Sequence, residues 1–180
     1  TMTKAEEHIL KRIHESLAAE QPDEREFIID NILKRQKIFI YGVGRSGTVC
    51  KAFAIRLVQL GLKVFFIGET ITPIVEKDDL VIIVSNTGET MSAIQTANIV
   101  RRLGAQVIAI TAEKHSKLAH AASSVIHLRV GKDPGDSQFT PLGTVFELTA
   151  MVFLDGIISD IMKVLGHTEA DMRARHAIWV

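Results

Sequence analysis

The chain has 180 residues, 47% of them hydrophobic, so it can bury a core of the size that one domain needs. Lys+Arg and Asp+Glu balance at 21 each, which argues against a surface for nucleic acid or another polyanion. The single cysteine, Cys50, cannot form an internal disulfide, and its predicted role is that of a small buried hydrophobe. The first residues, TMTKAEEHIL, lack the apolar segment of a signal peptide, so we expect a protein of the reducing cytoplasm.

Two amphipathic helices are predicted ahead of the first strand. The first covers residues 4–20, where apolar residues recur at every fourth position. The second follows a break at Pro22 and has Asp23 as its expected N-cap. It is expected to turn four apolar residues inward: Phe27, Ile28, Ile32 and Leu33. Each helix is too apolar on one face to be left in water, so both should pack on the sheet or on another subunit.

From residue 37 onward, short apolar strands alternate with helices. The predicted strands are residues 37–41, 63–67, 80–84, 106–110 and 124–128. Helices are predicted between them from about 48 to 61, from about 90 to 104, and around 116–122. The strand at 80–84, LVIIV, is apolar at successive positions, as expected of a central strand covered on both faces. The alternation predicts right-handed crossovers and an open parallel sheet of five strands in a three-layer α/β/α sandwich.

The last part of the chain is predicted to contain a polar loop, a long helix and a helical tail. The loop GKDPGDSQFTP leads into an apolar helix from about residue 142 to 165. Residues 143–162 are about as long as a membrane span, but three acidic residues interrupt them, which favours a buried helix. The tail, residues 167–180, is expected to be helical at HTEADMRARH. With no linker, internal repeat or low-complexity tract, residues 1–180 are expected to form one domain: helices over 1–35, then the α/β core and C-terminal helices over 36–180.

The turn GVGRSG, residues 42–47, joins the first predicted strand to its helix. Gly42 and Gly44 can adopt backbone angles closed to other residues, so N–H groups can face a ligand, and Ser46 adds a hydroxyl. A helix that starts here contributes unpaired N–H groups and the positive end of its dipole. The turn therefore predicts an anion site, for which a phosphate is the expected ligand. Arg45 is a candidate to hold the phosphate or a sugar hydroxyl, unless it faces solvent.

The same turn fits a second motif. Its three glycines match the dinucleotide fingerprint G-x-G-x-x-G, and Glu69 lies about where a ribose-binding acid would fall. Taken alone, the turn therefore leaves phosphate-ester binding and dinucleotide binding equally open. A tight strand–helix turn that binds nothing is a third interpretation.

A second strand–helix junction, SNTGET at residues 85–90, favours the phosphate ester. It offers three hydroxyls, an amide and a glycine, and its candidate substrate-binding residues are Ser85, Asn86, Thr87, Gly88 and Thr90. One hydroxyl would be enough for an ordinary capped helix, whereas three beside the first turn match the acceptor oxygens of a phosphate. A dinucleotide fold has no need of this cluster. Both turns should meet at the carboxyl edge of the sheet, where such folds bind ligands.

The pair GVGRSG and SNTGET, each at a strand–helix junction, resembles the sugar isomerase (SIS) domain family, which binds phosphosugars. Within that family, the GETITP segment at 68–73, the PLGTVFE segment at 141–147 and the RH near the C-terminus are similar to those of the 6-phospho-3-hexuloisomerases. Many relatives have SGSGET where this chain has SNTGET. Threonine keeps the hydroxyl and asparagine adds an amide, so phosphate binding is expected to be retained. The resemblance covers essentially the whole chain.

This resemblance implies a flavodoxin-like SIS fold and an isomerase that interconverts 3-hexulose 6-phosphate and fructose 6-phosphate through an enediol. That reaction is the second step of ribulose monophosphate formaldehyde fixation, which implies a functional link to 3-hexulose-6-phosphate synthase. The resemblance also implies a homotetramer. The alternative is a regulatory SIS module that binds a phosphosugar without catalysis. Such modules usually accompany a DNA-binding domain, and this sequence shows no basic helix-turn-helix pattern.

Glu147 is the candidate catalytic base. Moving a carbonyl from C3 to C2 requires one group that takes the C2 proton and returns a proton to C3, which a partly desolvated carboxylate can do. Glu147 is an acid near the start of an otherwise apolar helix. The pattern alone also allows a carboxylate that only interacts with the helix dipole. The resemblance favours catalysis, since the matching glutamate of the family is assigned as the base.

His176, in the tail RARHAIWV, is the candidate for moving hydroxyl protons or opening the fructose ring, because imidazole titrates near neutrality. From its position in the tail we expect it to reach the site of a neighbouring subunit. An ordinary surface histidine is the other interpretation. The remaining six histidines show no metal-ligand spacing, so we expect neither a metal nor another cofactor.

Overall fold

The structure, a computed structural model, describes residues 1–178, so Trp179 and Val180 at the end of the predicted tail lie outside it. Over the described residues the chain forms eight helices and five strands. In chain order they are α1 (Lys4–Ala18), α2 (Pro22–Lys34), β1 (Ile38–Gly42), α3 (Gly44–Gln59), β2 (Val64–Phe66), β3 (Leu80–Val84), α4 (Met91–Arg102), β4 (Gln106–Thr111), α5 (Lys117–Ala121), β5 (Ser124–His127), α6 (Asp136–Phe139), α7 (Thr144–Leu165) and α8 (Glu169–Ala174).

The five strands form one parallel sheet in the order β2-β1-β3-β4-β5. Phe39 of β1 lies opposite Phe65 of β2 on one side, and Ile40 of β1 lies opposite Ile82 of β3 on the other. The order of the strands reverses between β1 and β3. In an open parallel sheet, ligands bind beside such a reversal, outside the carboxyl ends of the strands.

Helices cover both faces of the sheet, which confirms the predicted three-layer α/β/α sandwich. One core packs Ile40 and Ile82 of the strands against apolar residues of α2, α3 and α7. The other packs Phe39 and Val81 against α4 and α5. Because both faces are buried, successive residues of β3 are all apolar, as the sequence pattern predicted.

The long apolar helix is α7, and it is a core helix. Residues such as Phe146, Phe153 and Ile157 are at most 1% exposed and pack against the sheet and its neighbouring helices. No helix within residues 1–178 combines the length and apolar character needed to cross a bilayer. The interpretation of residues 143–162 as a buried helix is therefore confirmed.

Three local expectations are wrong. The N-cap of α2 is Gln21 with Pro22 as the first helical residue, since proline has no N–H that needs a partner there, and Asp23 lies in the first turn. Phe27 does not turn inward but is 37% exposed. Helix α3 starts at Gly44 rather than near residue 48, because Gly44 takes a φ of +59° and lets the helix begin directly after β1.

Candidate active site

The loops after β1 and β3 meet at the carboxyl edge of the sheet, as predicted. Between them lies a cavity of about 110 Å³, room for roughly four water molecules of 30 Å³ each and so for a phosphate-sized anion. Its polar lining comes from the hydroxyls and amide that the sequence singled out: Ser46, Ser85, Asn86, Thr87 and Thr90. Val43, Val84 and Ala93 complete the wall. None of these lining residues is charged, so an anion here would be held by neutral donors and by the starts of α3 and α4.

The first loop is shaped by its own glycines. A Cβ at Gly47 would lie 2.6 Å from the carbonyl oxygen of Gly42, so glycine is what lets α3 start so close to the end of β1. Gly44 has a positive φ and faces open space. This tight turn brings Ser46, only 8% exposed, to the wall of the cavity.

The second loop is held by its neighbours. The carbonyl oxygen of Asn86 accepts hydrogen bonds from the backbone N–H of Ala112 and the hydroxyl of Thr111, both at 3.0 Å. The carbonyl oxygen of Gly88 accepts from the N–H of Leu118 at 2.9 Å. Gly88 is required here, because its φ is +63° and a Cβ would lie 2.0 Å from the Oγ of Ser116. The loop is therefore fixed from behind by β4 and α5.

Glu89, the acid of SNTGET, points away from the cavity and ties the loop to α5. Its carboxylate accepts from the backbone N–H of Lys117 at 3.1 Å and forms an ion pair with the Lys117 Nζ at 2.8 Å. The Lys117 ammonium and its backbone N–H lower the pKa of Glu89. On the cavity side, the hydroxyls of Ser85 and Thr90 are 3.3 Å apart. Thr87 accepts from the N–H of Glu89 at 3.2 Å.

Glu147 lies at the same edge, in the first turn of α7. Its side chain is 13% exposed, and the Nε of Arg45 donates a hydrogen bond to its Oε2. Asn86 and Glu147 both lie close to Gly143. A Cβ added at Gly143 would be 2.9 Å from the Asn86 Nδ2 and 3.3 Å from the Glu147 Oε1. A mostly buried carboxylate therefore sits beside the amide that lines the phosphate-sized cavity.

A second cavity, of about 240 Å³, adjoins the first and shares Asn86 and Thr87 with it. The loops after β4 and β5 and the start of α7 form its walls. None of its three charged lining residues, Glu113, Lys132 and Asp136, was singled out from the sequence, although Glu113 and Lys132 closely follow strands. Their position just after strands β4 and β5 is the signal that could have found them, because every such loop reaches the carboxyl edge.

The structure does not bring His176 to these cavities within one chain. His176 is exposed and lies beside Arg56 and Gln59, at the far end of α3 from Ser46. The intervening stretch of α3 is roughly 20 Å long at about 1.5 Å per residue. The role of His176 at a neighbouring subunit's site stays a prediction.

Three further candidates have other environments. Glu69, the possible ribose-binding acid, forms an ion pair with Lys51 at 3.2 Å. Cys50 is fully buried, and burial raises the pKa of its thiol to about 12, so its role as a buried hydrophobe is confirmed. One cluster that sequence spacing did not indicate, His8 with Asp133 and Asp136, has ligand atoms close enough for a metal ion. One carboxylate of this cluster is already paired, since Arg12 donates two hydrogen bonds to Asp136.

A SIS domain profile matches residues 31–154 of the chain, which include both loops, the sheet and the first half of α7. A Methanocaldococcus jannaschii protein named 3-hexulose-6-phosphate isomerase is 44% identical over 149 residues, 83% of this chain and 80% of that protein. The Bacillus subtilis protein of the same name is 35% identical over 173 residues, 94% of each chain.

Solved structures show the same fold. A crystal structure from Methanococcus jannaschii superposes with a TM-score of 0.85 at 38% sequence identity, and the alignment covers 98% of this chain and 97% of that one. A molecular function of 3-hexulose-6-phosphate isomerase has been inferred for that protein.

Proposed function

The chain belongs to the SIS domain family, and we propose that it is an isomerase that interconverts 3-hexulose 6-phosphate and fructose 6-phosphate. One observation carries the proposal: a cavity lined by hydroxyls, at the point where strand order reverses, adjoins a nearly buried carboxylate and a second, larger cavity. The first cavity suits the phosphate on C6 and the second has room for the sugar carbons. The names of the relatives identify the reaction that fits this arrangement.

In this proposal the phosphate is held by uncharged groups. The hydroxyls of Ser46, Ser85 and Thr90, with the N–H groups at the starts of α3 and α4, donate to its oxygens. Gly44 and Gly88 let the backbone of each loop turn toward the ligand. Asn86 and Thr87 line both cavities, so they are placed to contact the phosphate and the sugar at once.

Glu147 is the proposed base. It takes the proton from C2 of 3-hexulose 6-phosphate, the electrons of that bond form the C2=C3 bond of an enediol, and the former carbonyl oxygen on C3 gains a proton. Glu147 then delivers its proton to C3 while the C2 hydroxyl loses its own, which leaves the carbonyl of fructose 6-phosphate on C2. The support is the low exposure of the Glu147 carboxylate and its proximity to Gly143, which lines the second cavity.

Arg45 and His176 have supporting roles in the proposal. Arg45 holds Glu147 in the absence of substrate, and its mostly exposed side chain is free to turn to a phosphate or sugar oxygen. His176 is proposed to move hydroxyl protons or to open the fructose ring from a neighbouring subunit, since it lies far from its own site.

The wider setting is part of the same proposal. We infer a cytoplasmic homotetramer built from a single SIS domain over residues 1–180, working with 3-hexulose-6-phosphate synthase in formaldehyde fixation. Support for assembly comes from apolar side chains that remain exposed on several elements, such as Ile55 on α3 and Ile99 on α4. Neither a metal nor another cofactor has a role in the proposed mechanism.

The direct test converts fructose 6-phosphate with the purified chain while hexulose phosphate synthase consumes the product. Glu147→Gln should lower kcat by about three orders of magnitude or more and leave phosphosugar binding in place. Asp155→Asn is the matched control, because Asp155 is an exposed acid of the same helix. Unchanged turnover in Glu147→Gln would remove Glu147 from the mechanism. Tight binding of fructose 6-phosphate without turnover by the wild type would identify a regulatory module instead.

A further inference from the structure

Helix α1 lies outside residues 31–154, the part of the chain that the SIS domain profile matches, yet one of its side chains reaches the loop beside the active site. Arg12 is a charged residue with only 4% of its side chain exposed. A buried guanidinium is stable only when its N–H groups find partners, so those partners show what the residue holds in place.

The partners of Arg12 belong mostly to the loop between β5 and α7. Its Nε donates to the Oδ1 of Asp136 at 3.0 Å and its Nη2 to the Oδ2 of Asp136 at 3.1 Å, a bidentate pair. The same Nη2 also donates to the carbonyl oxygen of Gly131. The Nη1 donates to Glu15 one turn further along α1, at 3.1 Å. One side chain thus joins two points of the loop, five residues apart, to α1.

Asp136 connects Arg12 to other residues of the loop. Its carboxylate also accepts from the hydroxyl of Thr140 at 3.0 Å and from the backbone N–H of Asp133 at 3.0 Å, and it contacts the Nε2 of His8 at 3.0 Å. The Arg12 guanidinium, with these further donors, holds the pKa of Asp136 well below its ordinary range. The carboxylate is therefore charged throughout the neutral range, and the anchor persists there.

The anchored loop leads directly to the proposed base. Gly131, Asp136 and Thr140 all line the second cavity. After Thr140 the chain passes through Leu142, which is held at a φ of +60°, and enters α7, where Glu147 lies in the first turn. A polar loop with a four-residue helix would be mobile without a long-range contact, and that mobility would reach both the cavity wall and the start of α7.

We propose that Arg12 is a positioning residue for the proposed isomerase reaction. Through Arg12, helix α1 fixes the wall of the second cavity and the start of α7, the helix that carries Glu147. The inference rests on the proposed function for its kinetic consequence. Its structural consequence, the ordering of residues 131–143, does not depend on which reaction the site performs.

The test compares Arg12→Met with Arg25→Met. Arg25 is the matched control: it joins α2 to α7 through Asp160 at 2.7 Å, again a partly buried ion pair made by an N-terminal helix, but Asp160 lies near the far end of α7 from Glu147. Both variants should lose a few degrees of Tm. Only Arg12→Met should lose kcat/KM for fructose 6-phosphate, by about tenfold or more, with kcat lowered as well as KM raised.

Two readouts separate positioning from a general loss of stability. Amide hydrogen exchange should speed up in residues 131–143 of Arg12→Met and stay near the wild-type rate there in Arg25→Met. The affinity for inorganic phosphate should change by less than about twofold in both, because Arg12 does not touch the phosphate-sized cavity. Equal exchange and equal kinetics in the two variants would overturn the proposal.

Two further outcomes are covered. If Arg12→Met does not fold, Arg12→Lys keeps the charge and loses the bidentate geometry, so it should show the same kinetic and exchange effects in weaker form. A wild type without isomerase activity would end the proposed function, while the exchange comparison would still decide whether Arg12 orders the loop.

Discussion

The two loops that enclose the phosphate-sized cavity do the same task by different means. The loop after β1 is shaped from within, since its glycines let α3 start after β1 with only Val43 between them. The loop after β3 is shaped from outside, by hydrogen bonds from β4 and α5 and by the packing of Gly88 against Ser116. The conformation of the first loop depends on its glycines, which have no side chain, and that of the second depends on its contacts with β4 and α5.

This difference predicts how each loop responds when a ligand binds. The residue with the longest reach in the first loop, Arg45, has 67% of its side chain exposed and one charged partner, Glu147. It can move when a ligand arrives. In the second loop, even the acid Glu89 is fixed against α5. The cavity therefore joins a preorganised wall to an adaptable one, and preorganised donors are the more effective in binding charge.

The comparison is tested most strongly by the same substitution in the two loops. Gly44 and Gly88 both have a positive φ, +59° and +63°, so alanine is strained at either position. A Cβ at Gly44 meets nothing within 4 Å, whereas one at Gly88 would lie 2.0 Å from the Ser116 Oγ. Gly44→Ala should cost about 1 kcal/mol of stability and Gly88→Ala about 3 kcal/mol, measured by denaturant unfolding.

The double variant Gly88→Ala with Ser116→Gly separates strain from overlap. Ser116→Gly removes the two atoms nearest to the new Cβ and leaves the Thr111 Oγ1 at 3.3 Å. The double variant should therefore be more stable than the sum of the separate costs of Gly88→Ala and Ser116→Gly predicts. Equal costs for Gly44→Ala and Gly88→Ala would show that the second loop is not held against α5 as described.

A smaller effect is expected from the hydroxyls. Ser85→Ala with Thr90→Ala removes two proposed donors of the preorganised wall and should raise KM by about 100-fold, at about tenfold for each bond to a charged group. Ser46→Ala removes one donor of the other wall and should raise KM by about tenfold. Turnover should change less than KM in both cases, because these hydroxyls are proposed to bind the phosphate and not the reacting carbons C2 and C3. An effect on kcat alone would contradict the phosphate role.

The fold was predictable because its signals are local. Unbroken apolar runs such as residues 80–84 and the glycines that end α3 and α4 define strands and helices from a few neighbouring residues, and alternation then gives the sheet. The bounds of β3 are those predicted. Helix α6 was missed for the opposite reason, since its first residue, Asp136, is held by Arg12, which is 124 positions away in the sequence.

The candidate site was predictable only in part. The hydroxyls of the two loops are recognisable in the sequence, and the structure brings them to one cavity. Arg12 carries no local signal, because a buried arginine in an amphipathic helix looks like an ordinary surface residue. Glu113 and Lys132 are marked only by their position after β4 and β5, since charged residues are common in any polar loop. The contact between Arg45 and Glu147 is likewise set by packing of α7 on α3, which residue spacing does not encode.

The smallest expected effect concerns the tie between the second loop and α5. The pKa of Glu89 is lowered by Lys117, so folding favours the charged carboxylate. The stabilisation is therefore present above the ordinary glutamate value of 4.5 and is lost as pH falls through the lower pKa of the folded state. Glu89→Gln should be less stable than the wild type at pH 7, and the difference should shrink as the pH falls below about 4. The difference in stability between Glu89→Gln and the wild type should be small even at pH 7, because water screens the ion pair between Glu89 and Lys117.

Lys117→Met serves as the partner variant in a double-mutant cycle with Glu89→Gln, since it removes the ammonium from the same pair and leaves the backbone N–H of residue 117. Its loss of stability at pH 7 should overlap with that of Glu89→Gln, so the double variant should cost less than the sum. Thermal unfolding between pH 7 and pH 3 measures both. Strictly additive costs at pH 7 would show that the pair does not couple α5 to the second loop, and the backbone bonds of Asn86 and Gly88 would then be what makes that wall the rigid one.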